Sequence, residues 1–313
     1  MPITASKRGY TAGKYGFEMD SVHAGWLHSA EGGHATSDVV QEKLGPDHVI
    51  RKHIGGVKYE DISISCGTGM SKGFYGWIKD SFDHKHTRQN GAIIAADYDF
   101  KEHSRLTFTN GLITEIGFPA LDAASKDAAK MTIKISPEYT RQTVSQGGGP
   151  SIAGGKFSVD PKVQKQWLPA NFRLRIDGLE EPCSRVNKIE ALVVKQKVIE
   201  NPVGELRDYE KEPAYLEIPN LVITFPESHA KPFYDWHESF VIKGENGDDK
   251  EKGGTLEYLT PDLKTVLFTI TFKHLGIFKL TPDKVESGNE QIRRLKAEMY
   301  CEDMEFNYAS AWA

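Results

Sequence analysis

The sequence predicts a mainly β protein made of two tandem β-barrel domains, each with one helix. Three observations indicate this fold: a block of residues recurs at a fixed offset, a glycine-rich stretch separates the two copies, and strand-type alternation dominates both. The length of 313 residues fits two domains of ordinary size. We assign residues 1–145 to the first domain, 146–170 to a glycine-rich linker and 171–313 to the second domain.

The repeated block is Lys-x-Phe-Tyr-x-Trp, which begins at Lys72 and again at Lys231, an offset of 159 residues. The same offset, held without gaps, aligns three further pairs: Gly45 with Gly204, Lys52 with Lys211, and Ile64 with Ile223. In both copies a strand pattern leads into the block and a helical pattern begins at it. We interpret the two halves as two copies of one fold.

The boundary between the copies is set by residues 146–155, which contain five glycines and one proline. Such a composition does not support regular structure and predicts a linker. The alternative is a long loop inside a single domain, which is uncommon in compact domains.

Each copy shows, in chain order, strands, one helix and more strands. Residues 59–66 alternate apolar and polar side chains, as a half-buried strand does. Helical spacing follows, and it predicts that six aromatic residues face the cores: Phe74, Tyr75, Trp77, Phe233, Tyr234 and Trp236. Residues 131–135 and 172–176 alternate again. A single helix among many strands favours a closed or nearly closed barrel, because an open sheet would leave unpaired edges.

Charge and composition exclude several classes of function. The net charge is −5, and neither half has the basic excess of a nucleic-acid-binding protein. No run of residues approaches the roughly 18 apolar residues that a membrane helix needs, so no stable membrane insertion is expected. No signal peptide is visible at the start of the chain, which predicts folding in the cytoplasm. Three widely spaced cysteines fit neither a disulfide framework nor a zinc ribbon.

The candidate chemical motifs favour structural explanations. Residues 67–73 place three glycines between a strand and a helix, where phosphate could bind, but the spacing is not that of a P-loop and the second copy lacks these glycines. A tight turn with a helix cap explains them better. His84 and His86 could begin a metal site, yet no third ligand stands at a recognisable spacing. We therefore predict no catalytic residue, no cofactor, no metal site and no enzymatic activity.

Several blocks of the first half resemble the tail tube family of contractile-tailed phages and phage-tail-like contractile injection systems. They occur in the family's order between about residues 15 and 141, and include EKLGPDH (42–48), KHIGGVKYEDI (52–62), GTGMSK (67–72) and GFPALDAASK (117–126). In the second half the resemblance rests on the strand pattern and the Lys-x-Phe-Tyr-x-Trp block. The chain departs from the family in length, since it holds two copies instead of one.

The resemblance implies two tail-tube-like β-barrels in a structural subunit that forms or extends the inner tube by ring assembly. The implied partners are other copies of the chain, in a six-fold ring or a three-chain ring with pseudo-six-fold symmetry, and other tube, sheath or baseplate proteins. The protein would be made in the bacterial cytoplasm and become part of a virion or an injection particle. Two alternatives remain: a tube-initiating, hub-proximal or cap-proximal adaptor of the same machine, and a two-domain β-barrel module that binds a ligand.

Two charged segments, residues 38–58 and 195–215, are placed alike in the two copies. We expect contacts between subunits or rings there, because strand edges can add to neighbouring sheets. The candidate contact residues are Lys43, Gly45, Asp47, Arg51, Lys52, His53, Arg207 and Lys211. Because the net negative charge lies in the second half, that half is expected to meet a more basic surface of its partner.

Overall fold

The computed structural model describes residues 13–45, 48–145, 149–152, 167–205, 208–283 and 292–309. Within these ranges the chain forms two β-barrels in tandem, which confirms the predicted fold class. No helix in the same ranges is long and apolar enough to cross a membrane.

The first barrel is a closed circuit of six strands. Its elements are β1 (Lys14–Met19), β2 (Val22–Gly32), β3 (Ala35–Glu42), β4 (Arg51–Tyr59), β5 (Ile62–Cys66), α1 (Lys72–Phe82), β6 (Gln89–Ala96), β7 (Glu102–Phe118), β8 (Leu121–Asp122), β9 (Met131–Ser136) and β10 (Tyr139–Val144). The circuit runs β1-β2-β5-β9-β7-β6 and returns to β1, and β10 adds to the first half of β7. Strands β3 and β4 pair only with each other and form a separate hairpin.

The second barrel repeats this plan but is not fully closed. Its elements are β11 (Phe172–Ile176), α2 (Glu180–Cys183), β12 (Lys188–Ile189), β13 (Leu192–Asn201), β14 (Glu210–Glu217), β15 (Leu221–Pro226), α3 (Lys231–His237) with its π-helical continuation (Glu238–Ile242), β16 (Lys252–Leu259), β17 (Val266–Pro282), β18 (Arg294–Tyr300) and β19 (Asp303–Tyr308). Short 3-10 turns lie at Glu227–His229 and Asp248–Lys250. The strand order is β11-β16-β17-β18-β15-β12-β8, in which β8 comes from the first half of the chain and pairs with β12, and β19 adds to β17. In the described residues β11 and β12 do not pair, because α2 intervenes between them.

The two copies agree in strand register, residue by residue. In the hairpins, Val40 faces His53, and their counterparts at the offset of 159, Ile199 and Glu212, face each other. Both hairpins also carry an irregularity at the same place, between Ser37 and Val39 and between Gln196 and Val198. Beyond the helices the offset becomes 164, because the loop after α3 is longer. There the pairing of β7 with β9 recurs in that of β17 with β18, again including the irregularity.

Helix α1 begins where the sequence predicts it. The Ser71 hydroxyl accepts a hydrogen bond from the Phe74 amide at 3.3 Å and so caps the first turn. Residues 67–73, considered above as a phosphate cradle, are therefore the turn that leads into this cap. Phe74 and Trp77 are buried in the first barrel, as predicted, and Phe74 meets the ring of Phe17 edge-on at 5.8 Å.

One predicted core aromatic is not in the core. Phe233 and Trp236 of α3 are buried, but Tyr234 is 43% exposed, whereas its counterpart Tyr75 is only 4% exposed. The prediction for Tyr234 is therefore wrong in the isolated chain. The physical reason is that Tyr75 is covered by the second barrel, and α3 has no third barrel beside it.

The described part of the predicted linker is attached to the barrels at both of its ends. The Ile152 amide donates a hydrogen bond to the Phe100 carbonyl, and Ile152 is buried against the first barrel. At the other end Trp167 is buried between Tyr258 and Phe268 of the second barrel. Residues 146–148 and 153–166 lie outside the described residues, so the linker boundaries stay a prediction.

A buried histidine in β2 predicts that the protein loses stability in mild acid. His23 is buried beside Trp26, and burial lowers its pKa from 6.5 to about 4. The unfolded chain therefore binds a proton between about pH 6.5 and 4 that the folded chain does not, so stability falls as the pH falls through this window. Protonation of His23 in the unfolded chain alone should lower the free energy of unfolding by about 2 kcal/mol between pH 7 and pH 5.

Urea unfolding curves of the wild type and His23→Gln at pH 7 and pH 5 would measure this loss. The variant should lose about 2 kcal/mol less than the wild type over the same step. Equal losses in the two proteins would contradict the assignment to His23.

Candidate subunit interface

The main candidate site is the contact between the two barrels of one chain, because one barrel there adds a strand to the sheet of the other. The second half of β7 pairs with β9 on one side and accepts β13 on the other. Phe118 faces Leu192, and Glu115 faces Lys195. The β13–β14 hairpin of the second barrel thus extends the sheet of the first, by the strand addition that joins separate chains in many complexes.

Helix α1 of the first barrel packs on the last strand of the second, β19. The Tyr75 ring stacks on that of Tyr308 at a centroid distance of 5.6 Å, and the Phe82 ring stacks on Phe306 at 5.8 Å. The Lys79 ammonium donates hydrogen bonds to the Asn307 side-chain oxygen at 3.2 Å and to the Phe306 carbonyl. This second contact is apolar at its centre and polar at its edge, like the interface between two proteins.

Phe118 joins the two contacts. Its ring is buried, and it lies 5.8 to 6.0 Å from the rings of Tyr258, Phe268 and Phe306 in the second barrel. Most of the buried apolar side chains of the two barrels therefore form one continuous cluster. Burial of large aromatic rings supplies most of the free energy of such a contact.

Lys211 anchors the β13–β14 hairpin to the first barrel. Its ammonium donates a hydrogen bond to the Ser136 hydroxyl at 2.9 Å and lies 4.0 Å from the Asp61 carboxylate, while its amide donates to Glu138 at 3.0 Å. Burial lowers the pKa of this lysine despite the acidic neighbours. Lys211, predicted from sequence as a contact between subunits, thus makes its contact between barrels of the same chain.

The β3–β4 hairpin is the counterpart of β13–β14, yet it is exposed along nearly its whole length. It leaves the barrel through Gly32 and Gly33, both with positive φ, and a side chain at Gly32 would collide with the Asp61 carbonyl. Predicted contact residues that are exposed on it or in its loop are Lys43, Gly45, Arg51, Lys52 and His53. Asp47 and Arg207 lie outside the described residues. Contacts of these residues with another chain stay a prediction.

One polar cluster was missed by the sequence analysis. Glu251, His274 and Glu302 offer ligand atoms within 4.8 Å of one another, and the Tyr300 hydroxyl donates to Glu251 at 2.6 Å. The His274 ring bonds the same carboxylate at 2.8 Å. No spacing in the sequence could reveal this cluster, because its members come from three separate segments that only the folded sheet brings together.

The family of the first barrel follows from comparison with known proteins. Residues 11–141 match the family model described as T4-like virus tail tube protein gp19. The first barrel is a tail tube domain. The match ends at the first barrel, so the kinship of the second with this tail tube domain rests on the shared strand register described above.

Two of the solved structures that resemble part of this chain can be compared directly. One is from the sheath–tube complex of the extracellular contractile injection system PVC in its extended state, with 15% identity and a TM-score of 0.41 over 46% of this chain and 100% of that one. Another is from the tube-terminating cap of the anti-feeding prophage, with 15% identity and a TM-score of 0.40 over 46% of this chain and 97% of that one. No curated protein matches the chain.

Proposed function

We propose that this chain is a structural subunit of a contractile phage tail or contractile injection system, and that it forms or extends the inner tube by ring assembly. The family match of the first barrel supports the tube class. The observation that carries ring assembly is the contact inside the chain, where one barrel extends the sheet of the other and shares its core. When each barrel binds the next one through the same pair of different surfaces, the barrels form a closed ring or an open filament.

Three chains would supply six barrels, which gives a ring with pseudo-six-fold symmetry. Six chains would instead place two barrels in each of six positions. The tandem length also favours a second role within the same machine, that of a tube-initiating, hub-proximal or cap-proximal adaptor, since one ring of three chains suffices at an end. Sheath, tube or baseplate proteins are the further partners that either role requires. The protein would act without enzymatic activity, and it would be made in the bacterial cytoplasm before it enters the particle.

Negative-stain microscopy and native mass spectrometry of the purified chain test this proposal. We expect rings or short rods, with a mass of three chains per ring for the pseudo-six-fold arrangement. A chain that stays monomeric at tens of micromolar and binds a small ligand saturably would instead support the two-domain ligand-binding module. Rings of six chains would support the proposed function but contradict the stoichiometry of three chains per ring.

A further inference from the structure

The contact between the barrels joins one surface of the first barrel to one surface of the second. Each barrel also carries the equivalent of the surface that the other one uses, and these two equivalents make no such contact inside the chain. The first barrel contributes α1 and the second half of β7, whose counterparts on the second barrel are α3 and the second half of β17. The second barrel contributes β19 and the β13–β14 hairpin, whose counterparts on the first barrel are β10 and the β3–β4 hairpin. The offsets of 159 and 164 residues, fixed by strand register, identify the individual residues.

On α3 the counterparts of buried contact residues are exposed and apolar. Tyr75 corresponds to Tyr234, which is 43% exposed. Phe82 corresponds to Val241, and the next residue, Ile242, is 71% exposed. One short helical segment thus exposes three apolar side chains, and exposed apolar surface of this kind marks an interface.

On β10 the counterpart of Tyr308 is Val144, which is 62% exposed. Since Tyr75 stacks on Tyr308 inside the chain, the same geometry between chains would place Tyr234 on Val144. The two surfaces are therefore complementary in position, and Tyr234 and Val144 would form the apolar contact between them.

The second half of β17 has a free edge. Residues 276–282 pair with β18 on one side, and in the described residues no strand pairs on the other side. In the first barrel the corresponding residues 115–118 accept β13 at this edge. By the register of that pairing, Leu280 and Lys279 would face Ala35 and Thr36, the first residues of β3.

The charges at the two unused surfaces also match. Lys52 on the exposed hairpin is the counterpart of Lys211. The Lys211 ammonium binds Ser136 and its amide binds Glu138, and the counterparts of these two residues are Tyr300, which is hydrogen-bonded to Glu251, and Glu302. Glu302 lies beside Glu251 in the polar cluster described above. The hairpin therefore brings a lysine toward two carboxylates, in agreement with the expectation that the acidic second half meets a basic partner surface.

We propose that the second barrel of one chain binds the first barrel of a second copy through these surfaces: α3 on β10, and β17 with the Glu251–Glu302 cluster on the β3–β4 hairpin. This contact rests on the proposed function only in that copies of the chain assemble with one another. Such a contact is heterologous, so it propagates from chain to chain until a ring closes. Pro282 is the counterpart of Phe118 and has no amide hydrogen to donate to a neighbouring strand. The contact of α3 with β10 should therefore contribute a larger share of the binding free energy between chains than the contact of α1 with β19 contributes inside the chain.

Site-directed cross-linking tests the joint. The double variant Tyr234→Cys with Val144→Cys, treated with a short bis-maleimide, should give covalent dimers and trimers on a denaturing gel. Tyr234→Cys alone and the matched pair Tyr234→Cys with Val22→Cys, whose second position is also exposed, should give none. The native cysteines are buried and burial raises the pKa of each thiol, to about 12 for Cys66, so the wild type serves as the unreactive control.

A second variant, Tyr234→Glu, should weaken assembly at least tenfold in concentration by analytical ultracentrifugation. At dilutions where both proteins are monomeric its melting temperature should equal that of the wild type, because the side chain is exposed in the single chain. Rings that form without cross-linking, or that tolerate Tyr234→Glu, would overturn this inference and leave the proposed function intact. A wild type that never assembles would overturn both.

Discussion

Replacing Phe118 with alanine should cost about 3–5 kcal/mol of unfolding free energy, the range measured when a buried phenylalanine is truncated. The ring is buried where β7 leaves the first barrel, and it contacts three aromatic rings of the second. Its removal leaves a cavity in the apolar cluster that the two barrels share. We therefore expect the barrels to unfold separately in the variant, with two transitions in urea where the wild type has one.

Phe278→Ala is the matched control for this experiment. Phe278 lies on β17, in the corresponding half of the second long strand, and is 40% exposed. Its truncation should change stability by less than about 1 kcal/mol and leave a single transition. A Phe118→Ala protein as stable as the control would show that the two barrels do not share one core.

Replacing Arg105 with leucine should cost about 3–5 kcal/mol at neutral pH, because it leaves two buried carboxylates without their cation. Arg105, on β7, forms a bidentate pair with Glu102, at 3.0 and 2.8 Å, and a second pair with Glu18. Both glutamates are buried, and the paired carboxylates raise the pKa of the guanidinium.

Urea unfolding of wild type and variant at pH 7 would measure this loss of unfolding free energy. Lys134→Leu supplies the control, since its ion pair with Glu115 at 3.3 Å is partly exposed and should be worth at most about 1 kcal/mol. A loss for Arg105→Leu at pH 7 no larger than that for Lys134→Leu would contradict the assigned role of the buried pairs.

The sequence predicted the repeat correctly because the local pattern of apolar residues determines the strands and helices of each copy. Alternation of apolar residues determines which face of a strand is buried, and the spacing of Phe74 and Trp77 determines the buried face of a helix. Once two segments share such patterns, their strands pair in the same register. The offset found from Lys72 and Lys231 therefore holds for whole hairpins.

The functional surface was predictable only in part. The charged hairpins were identified from their composition and their equal placement, and Lys211 does make a contact between barrels. Neither the part played by Phe118 nor the exposure of Tyr234 could be predicted, since nothing near either residue in the chain distinguishes it from an ordinary core aromatic. The cluster of Glu251, His274 and Glu302 could not be predicted either, because its members are distant in sequence.

By itself, the sequence determined that one barrel-and-helix unit occurs twice, with the strand register and helix position that local periodicity dictates. Only the tertiary structure decided that the second hairpin completes the sheet of the first barrel while the first hairpin stays exposed. The physical reason is that an aromatic side chain is buried or exposed according to which barrel stands beside it. Inside the chain Tyr75 has such a neighbour, and Tyr234 does not.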